Sequence, residues 1–151
     1  MIRLEETATT SLTTAEAYAN VGEFANIQEW DPGVISSTKT SDEPTGVGTV
    51  YDMDLSYGGR VMKMQYRVTA IEPGKRVVLE GSGGVVKAID SIEFESIAGE
   101  TKVTYTADLG LKGIARLIEP FMKGRFAEIG RSTGEGLRSW LAELEKQTEA
   151  S

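Results

Sequence analysis

The sequence predicts an α+β fold: a strongly bent, seven-stranded antiparallel sheet around one long C-terminal helix, with two short helices between strands one and two. Three observations lead there. Only the stretch from Gly113 to about Lys146 is long enough and periodic enough for a long helix. Between Ile35 and Leu111 the pattern is a series of short period-two runs joined by hairpin-length turns, which implies antiparallel neighbours. No second helix of that length exists to cover such a sheet, so one helix against one curved sheet forms the core.

The elements follow in order. Ile2 to Thr10 alternates Ile2, Leu4 and Ala8 against Arg3, Glu5 and Thr7, a strand with one buried face. Thr13-Thr14-Ala15-Glu16 matches a capping box, with Thr13 as N-cap and Glu16 reaching back, and opens a short helix through Tyr18. Gly22 separates it from a second helical stretch, Glu23 to Trp30, with Phe24 and Ile27 inward. Asp31-Pro32-Gly33 stops that stretch, because the residue before a proline avoids the helical region.

Val34 to Thr40 is a modest strand ended by Ser41 to Gly46. Val47 to Tyr57 is a stronger one, with Val47, Thr49, Tyr51, Met53, Leu55 and Tyr57 on one face. Gly58-Gly59 signals a two-residue hairpin. The returning strand puts Met62, Met64, Tyr66, Val68 and Ala70 together, opposite Lys63, Gln65 and Arg67. Pro73-Gly74 turns the chain into Arg76 to Glu80, and Gly81-Ser82-Gly83-Gly84 turns it again into Val85 to Ser96. After Ala98-Gly99-Glu100 the last strand carries Val103, Tyr105, Ala107, Leu109 and Leu111 on one face.

The final helix has two apolar stripes. Phe126, Ile129, Leu137, Trp140, Leu141 and Leu144 share one face, and Ile114, Leu117, Ile118 and Phe121 form another, rotated from it. Pro120 lies at the junction, where a missing amide and a clash with the preceding turn predict a kink or break. Gly124, Gly130, Gly134 and Gly136 each cost about 1 kcal/mol against alanine inside a helix. Gly134 and Gly136 are expected to serve close packing; Gly124 and Gly130 stay open between packing and space for a ligand.

At 151 residues the chain is expected to be one domain over residues 1–146, with 147–151 a frayed tail. It has no cysteine and no histidine, which excludes disulfides, thiol nucleophiles, imidazole bases and histidine or thiolate metal sites. No metal or cofactor is expected, and any catalysis falls to carboxylates, Tyr, Lys, Arg or Ser/Thr. The formal charge of −7 argues against nucleic-acid binding, which needs a basic face. No stretch has signal-peptide character or transmembrane length, so a soluble, cytoplasmic protein without stable membrane insertion is expected, as a monomer or weak homodimer.

Phe24 to Val34, with Trp30-Asp31-Pro32-Gly33-Val34 directly after the short helices, carries a family resemblance. So do Val68-Thr69-Ala70-Ile71-Glu72-Pro73 and Thr101-Lys102-Val103-Thr104-Tyr105. Together with Leu111-Lys112-Gly113 and Leu141 to Glu145 they resemble the START/Bet v 1-like (SRPBCC) superfamily, and within it the polyketide cyclase/dehydrase and lipid-transport group. The resemblance spans nearly the whole chain and implies the helix-grip fold with a cavity between helix and sheet. The same scaffold serves binders, carriers and enzymes.

In this chain such a cavity would be lined by Tyr51, Met53, Leu55, Met62, Met64, Tyr66, Ile92, Phe94 and Tyr105 from the sheet and by Ile118, Met122, Phe126 and Ile129 from the helix. Taken singly, each is core first and ligand contact second. Four of the five methionines lie in this set, and thioethers adapt to variable apolar shapes. Trp30 is read as a plug closing the barrel end rather than a ligand wall. Asp90 shares the period-two face of Ile92 and Phe94: it points inward with a raised pKa as a possible acid or base, or a bulge turns it to solvent. Arg125 flanks the apolar stripe, either anchoring a ligand anion or snorkelling to the surface.

The first functional expectation is a binder or carrier of a hydrophobic small molecule, such as a lipid, isoprenoid quinone or polyketide. The second is a polyketide cyclase, aromatase or dehydratase resting on Asp90, Arg125 and the tyrosines. A co-chaperone-type partner domain ranks third, because no unusual exposed apolar patch can be read from the sequence.

Overall fold

The computed structural model describes residues 1–150. Its strands are β1 (Ile2–Thr10), β2 (Val34–Lys39), β3 (Val50–Tyr57), β4 (Arg60–Glu72), β5 (Arg76–Gly83), β6 (Val86–Ile97) and β7 (Glu100–Leu111). They form one antiparallel sheet in the order β1-β7-β6-β5-β4-β3-β2. Helix α1 (Thr14–Val21) and a 3₁₀ helix (Phe24–Glu29) carry the chain from one sheet edge to the other, since β1 and β2 are the two edges. A second 3₁₀ helix (Gly113–Met122) leads into the long helix α2 (Lys123–Ala150).

Local chemistry accounts for most boundaries. The Thr13 capping box forms as expected: the Thr13 hydroxyl accepts from the Glu16 amide, and the Glu16 carboxylate accepts from the Thr13 amide. Gly58 and Gly59 turn β3 into β4 with φ of 58° and 78°, as a type I′ hairpin requires. Ala98 and Gly99 do the same between β6 and β7, at φ of 52° and 83°.

Several expected boundaries differ. Strand β3 begins at Val50, not Val47, because Gly48 takes a φ of 95° and ends the extended run there. Gly81, Ser82 and Gly83 belong to strand β5, and the turn falls after them. Their glycines serve proximity instead. A Cβ at Gly81 would lie 2.4 Å from the Tyr66 ring, and one at Gly83 would lie 2.2 Å from the Lys63 carbonyl oxygen and 2.8 Å from Met64 Cγ.

The chain after Gly113 is two helical pieces, as Pro120 foretold, but the first is a 3₁₀ helix and the change comes at Lys123. The two apolar stripes do face differently. Phe126, Leu137 and Leu141 are buried, whereas Ile114, Leu117 and Phe121 are 86%, 73% and 85% exposed. An exposed apolar stripe is therefore present where the sequence showed none. Helix α2 also continues to Ala150, past the expected end at Lys146, so 147–150 are helical rather than frayed. Nothing in Gln147-Thr148-Glu149 breaks a helix, and the Thr148 hydroxyl donates to the Leu144 carbonyl.

The packed core lies toward the Trp30 end. Trp30, Phe24, Ile27, Ile92, Leu79 and Leu137 are all fully buried there. Two helix glycines permit the contact, as expected: a Cβ at Gly136 would sit 1.9 Å from the Trp30 carbonyl oxygen, and one at Gly134 would sit 2.0 Å from Glu6 Oε1. Gly130 meets Leu4 at an ordinary 3.5 Å, and Gly124 meets nothing within 4 Å. The helix is thus tight on its bed at one end and free at the other.

This gradient predicts opposite outcomes for one substitution at two places. Gly136→Ala forces a methyl group against backbone and should destabilise by about 2 kcal/mol or more. Gly124→Ala gains helix propensity in open space and should stabilise by about 0.5 to 1 kcal/mol. Urea unfolding of the two variants checks both signs.

Candidate functional site

Beyond the tight end, a cavity of about 370 Å³ lies between the helix and the sheet. Its walls come from every strand but β5, with Ile27 of the first 3₁₀ helix and the segment after it, and its roof from the second 3₁₀ helix and the first turns of α2. Of the expected lining, Met53, Leu55, Met62, Met64, Tyr66 and Tyr105 contribute from the sheet, and Ile118, Met122, Phe126 and Ile129 from the helical segment. Asp90 lines it as well.

Four candidates lie elsewhere. Tyr51 is fully buried against Phe24, ring centroids 5.9 Å apart, and its hydroxyl donates to Glu23. Ile92 is part of the packed core. Phe94 packs edge-on against Tyr18 of α1, centroids 5.6 Å apart. These three continue the inward faces of β3 and β6 into the region that α1 and the first 3₁₀ helix fill, so the same face is wall at one end and core at the other. Arg125 does not line the cavity; its guanidinium carbon lies 5.6 Å from the Tyr57 ring centroid, a cation–π contact. Trp30 is a buried plug, as expected, T-shaped against Tyr105 at 5.2 Å.

The expected set also omitted lining residues. Glu6 continues the alternation of Ile2, Leu4 and Ala8, Tyr57 continues that of Met53 and Leu55, and Ala107 and Leu109 that of Tyr105. Their positions were readable from period alone. Asp31 had no such signal, because it sits in the irregular segment that closes the first 3₁₀ helix.

The polar chemistry centres on Asp90, whose side chain faces inward with no bulge in its strand. It pairs in continuous register with Leu79 of β5 and Ala107 of β7, and is 2% exposed. The Tyr105 hydroxyl donates to Asp90 Oδ2 at 2.6 Å. Oδ1 finds no partner in the protein. Burial raises the Asp90 pKa to about 7; the Tyr105 hydrogen bond opposes this, and the negative charges of Asp31 and Asp108 add to it. Asp31 is raised too, chiefly by burial, against the Gly33 amide that donates to its Oδ1 at 2.9 Å. Burial first, then Asp90 and Asp31, pushes Tyr66 and Tyr105 well above the ordinary phenol value. The Tyr66 hydroxyl reaches only the Met64 sulfur, at 3.9 Å, and the buried Tyr57 hydroxyl has no protein partner.

The site is thus an apolar chamber with a few under-used hydrogen-bonding groups on its walls. No group of three or more Asp, Glu, His or Cys residues among the described residues is placed to hold a metal ion. No helix there is long and apolar enough to cross a membrane.

Asp90 gives a stability signature with a definite sign. Its folded pKa, about 7, lies above its ordinary value of 3.8, so folding takes up a proton between those values. Stability should therefore fall as pH rises through that window and level off above it. Asp90→Asn should flatten this slope and gain on the order of 2 to 4 kcal/mol over the unmutated protein on the alkaline side. Urea unfolding across the window measures it.

Comparison with known proteins agrees with this architecture. The family model described as polyketide cyclase/dehydrase and lipid transport matches residues 1–142. Among solved structures, a START superfamily protein from Mycobacterium smegmatis superposes with a TM-score of 0.77 at 13% identity, covering 94% of this chain and 98% of that one. The protein TTHA0849 from Thermus thermophilus gives 0.75 at 13% identity, over 94% and 98%. The Zhui aromatase/cyclase from a Streptomyces species gives 0.65 at 13% identity, over 90% and 93%. At such identities the structures share the fold alone. No curated protein sequence matches the chain. With its family model matched across nearly the full length and its sheet closed around one helix, the chain belongs to the polyketide cyclase/dehydrase and lipid-transport family.

Proposed function

We propose that this protein binds one mostly apolar small molecule, such as a lipid, isoprenoid quinone or polyketide, in the cavity under the second 3₁₀ helix and α2, and carries it. The observation that supports this best is the 370 Å³ chamber with three methionines of the β3–β4 hairpin, Met53, Met62 and Met64, on its walls. Thioether side chains repack around differently shaped apolar guests at little cost. A space this size, left unfilled, forfeits packing that a core would otherwise gain. Membership in a family described by lipid transport as well as cyclisation points the same way. The reading extends to a cytoplasmic monomer or weak homodimer with no nucleic-acid partner, the last supported by the net charge of −7.

Asp90 favours a second reading, a cyclase, aromatase or dehydratase. A carboxyl with a pKa of about 7, facing a cavity beside two buried tyrosines, is suited to exchanging a proton with a bound polyketide-like chain. Arg125 plays no part in this version, since it lies off the cavity.

Filling the chamber separates function from fold. Met64→Trp should keep the far-UV circular dichroism and lower uptake of a fluorescent lipid or quinone analogue at least tenfold, a loss expected when an apolar site is sterically filled. No uptake by the unmutated protein across lipid, quinone and polyketide probes would overturn the binding reading. Turnover of a polyketide analogue that vanishes in Asp90→Asn would put the enzyme ahead of the carrier.

A further inference from the structure

The chamber's charged and polar walls say more about its guest than its apolar ones do. Three acidic side chains, Glu6, Asp31 and Asp90, reach the lining, and no lysine or arginine does. Two cations beside lining residues are otherwise engaged: Arg138 with Glu6 at 3.7 Å and with the Thr7 carbonyl at 3.0 Å, and Arg125 over the Tyr57 ring. A guest bearing a carboxylate or phosphate would meet the carboxyls of Asp31 and Asp90 with no lysine or arginine on the lining to pair it, in surroundings of low dielectric where that repulsion is strong.

Asp90 adds a directional requirement. Tyr105 already donates to its Oδ2, and when the carboxyl is ionised Oδ1 is an acceptor with nothing to accept from. A buried polar atom without a partner is costly and uncommon enough to call for a reason. Tyr66 lines the same chamber, and its hydroxyl has only a weak thioether acceptor in reach, which a guest oxygen would better. One acceptor and one donor are what a hydroxyl group completes: it donates through its hydrogen and accepts at its oxygen.

Resting on the binding reading above, we infer that the guest carries a neutral hydroxyl, alcoholic or phenolic, that donates to Asp90 Oδ1, and that anionic amphiphiles such as fatty acids are excluded. With Asp90 ionised, a quinone, which has only acceptors, fits this site less well than the corresponding quinol. A site built to pair a hydroxyl discriminates sharply against the analogue that lacks it, because its own polar groups are then left unpaired.

Three arenes with one shared tail test this on the unmutated protein: para-heptylphenol, para-heptylanisole and para-heptylbenzoate, titrated calorimetrically in mildly alkaline buffer, where the Asp90 carboxyl is ionised. The phenol should bind about tenfold or more tightly than the anisole, as expected for a hydrogen bond to a charged acceptor, and the benzoate should bind most weakly. In Asp90→Asn, whose amide can donate to either oxygen, the preference for phenol over anisole should shrink to within about twofold. Equal binding of phenol and anisole, or tightest binding of the benzoate, overturns the inference while leaving the apolar binding reading intact. Uptake of none of the three overturns both. A phenol preference that persists unchanged in Asp90→Asn assigns the hydrogen bond to another group and also overturns it. If that variant fails to fold, the series on the unmutated protein still decides.

Discussion

Much of this structure depends on one close approach, the backbone of α2 at Gly136 against the Trp30 carbonyl. Only a residue without a side chain allows it. The contact lowers the helix onto the sheet at the Trp30 end, and Trp30 in turn stands edge-on to Tyr105, whose hydroxyl holds Asp90. A continuous line of packed groups therefore runs from the helix dock to the polar atom in the chamber wall. Because Gly130 is only at van der Waals distance and Gly124 touches nothing, the helix does not close down equally along its length. The open end is where the cavity lies.

The fold was largely legible because alternation and turn chemistry are local. Period two in β3, β4, β6 and β7 identified their inward faces, and the glycine pairs at 58–59 and the Ala98-Gly99 turn placed their hairpins. Pro120 showed where the final helix divides. The resemblance in the Trp30 and Val68 to Pro73 stretches supplied the cavity, which no periodicity contains. The misses have a shared origin. Tyr51, Ile92 and Phe94 have the same pattern as true lining residues, and only the long-range placement of α1 and the first 3₁₀ helix turns them into core. Asp31 belongs to no periodic run, so nothing local marked it. The exposure of Ile114, Leu117 and Phe121 is a tertiary fact too, since an apolar stripe in a sequence reads as something to be buried.

The chamber also shows where stability has been conceded. Asp90 is buried with half its carboxyl unpaired, Tyr57 has a buried hydroxyl without a partner, and Tyr66 is left with a sulfur. Several buried polar groups elsewhere are paired: Tyr51 has Glu23 and Thr45, Thr101 has the Leu12 carbonyl, and Ser37 has the Phe24 carbonyl. Among the described residues, two of the three buried side-chain atoms without a partner, on Asp90 and Tyr57, lie on the chamber walls, and the third is the Trp30 indole nitrogen in the packed core. Such disagreement between burial and pairing in a cavity wall is the expected mark of a site kept for something other than folding.

Strand β5 shapes the chamber without entering it. At Gly81 it yields its side-chain space to the Tyr66 ring, and at Gly83 to Met64 and the neighbouring backbone. The positions of these two lining groups are thus set partly by residues that contribute no side chain to the chamber, while its chemistry is set by methionines and tyrosines on other strands. Geometry and selectivity are then written at separate positions and can drift separately. A descendant could trade one cargo for another through single volume-conserving exchanges in the walls, leaving the glycine scaffold untouched and never passing through an ancestor unable to fold.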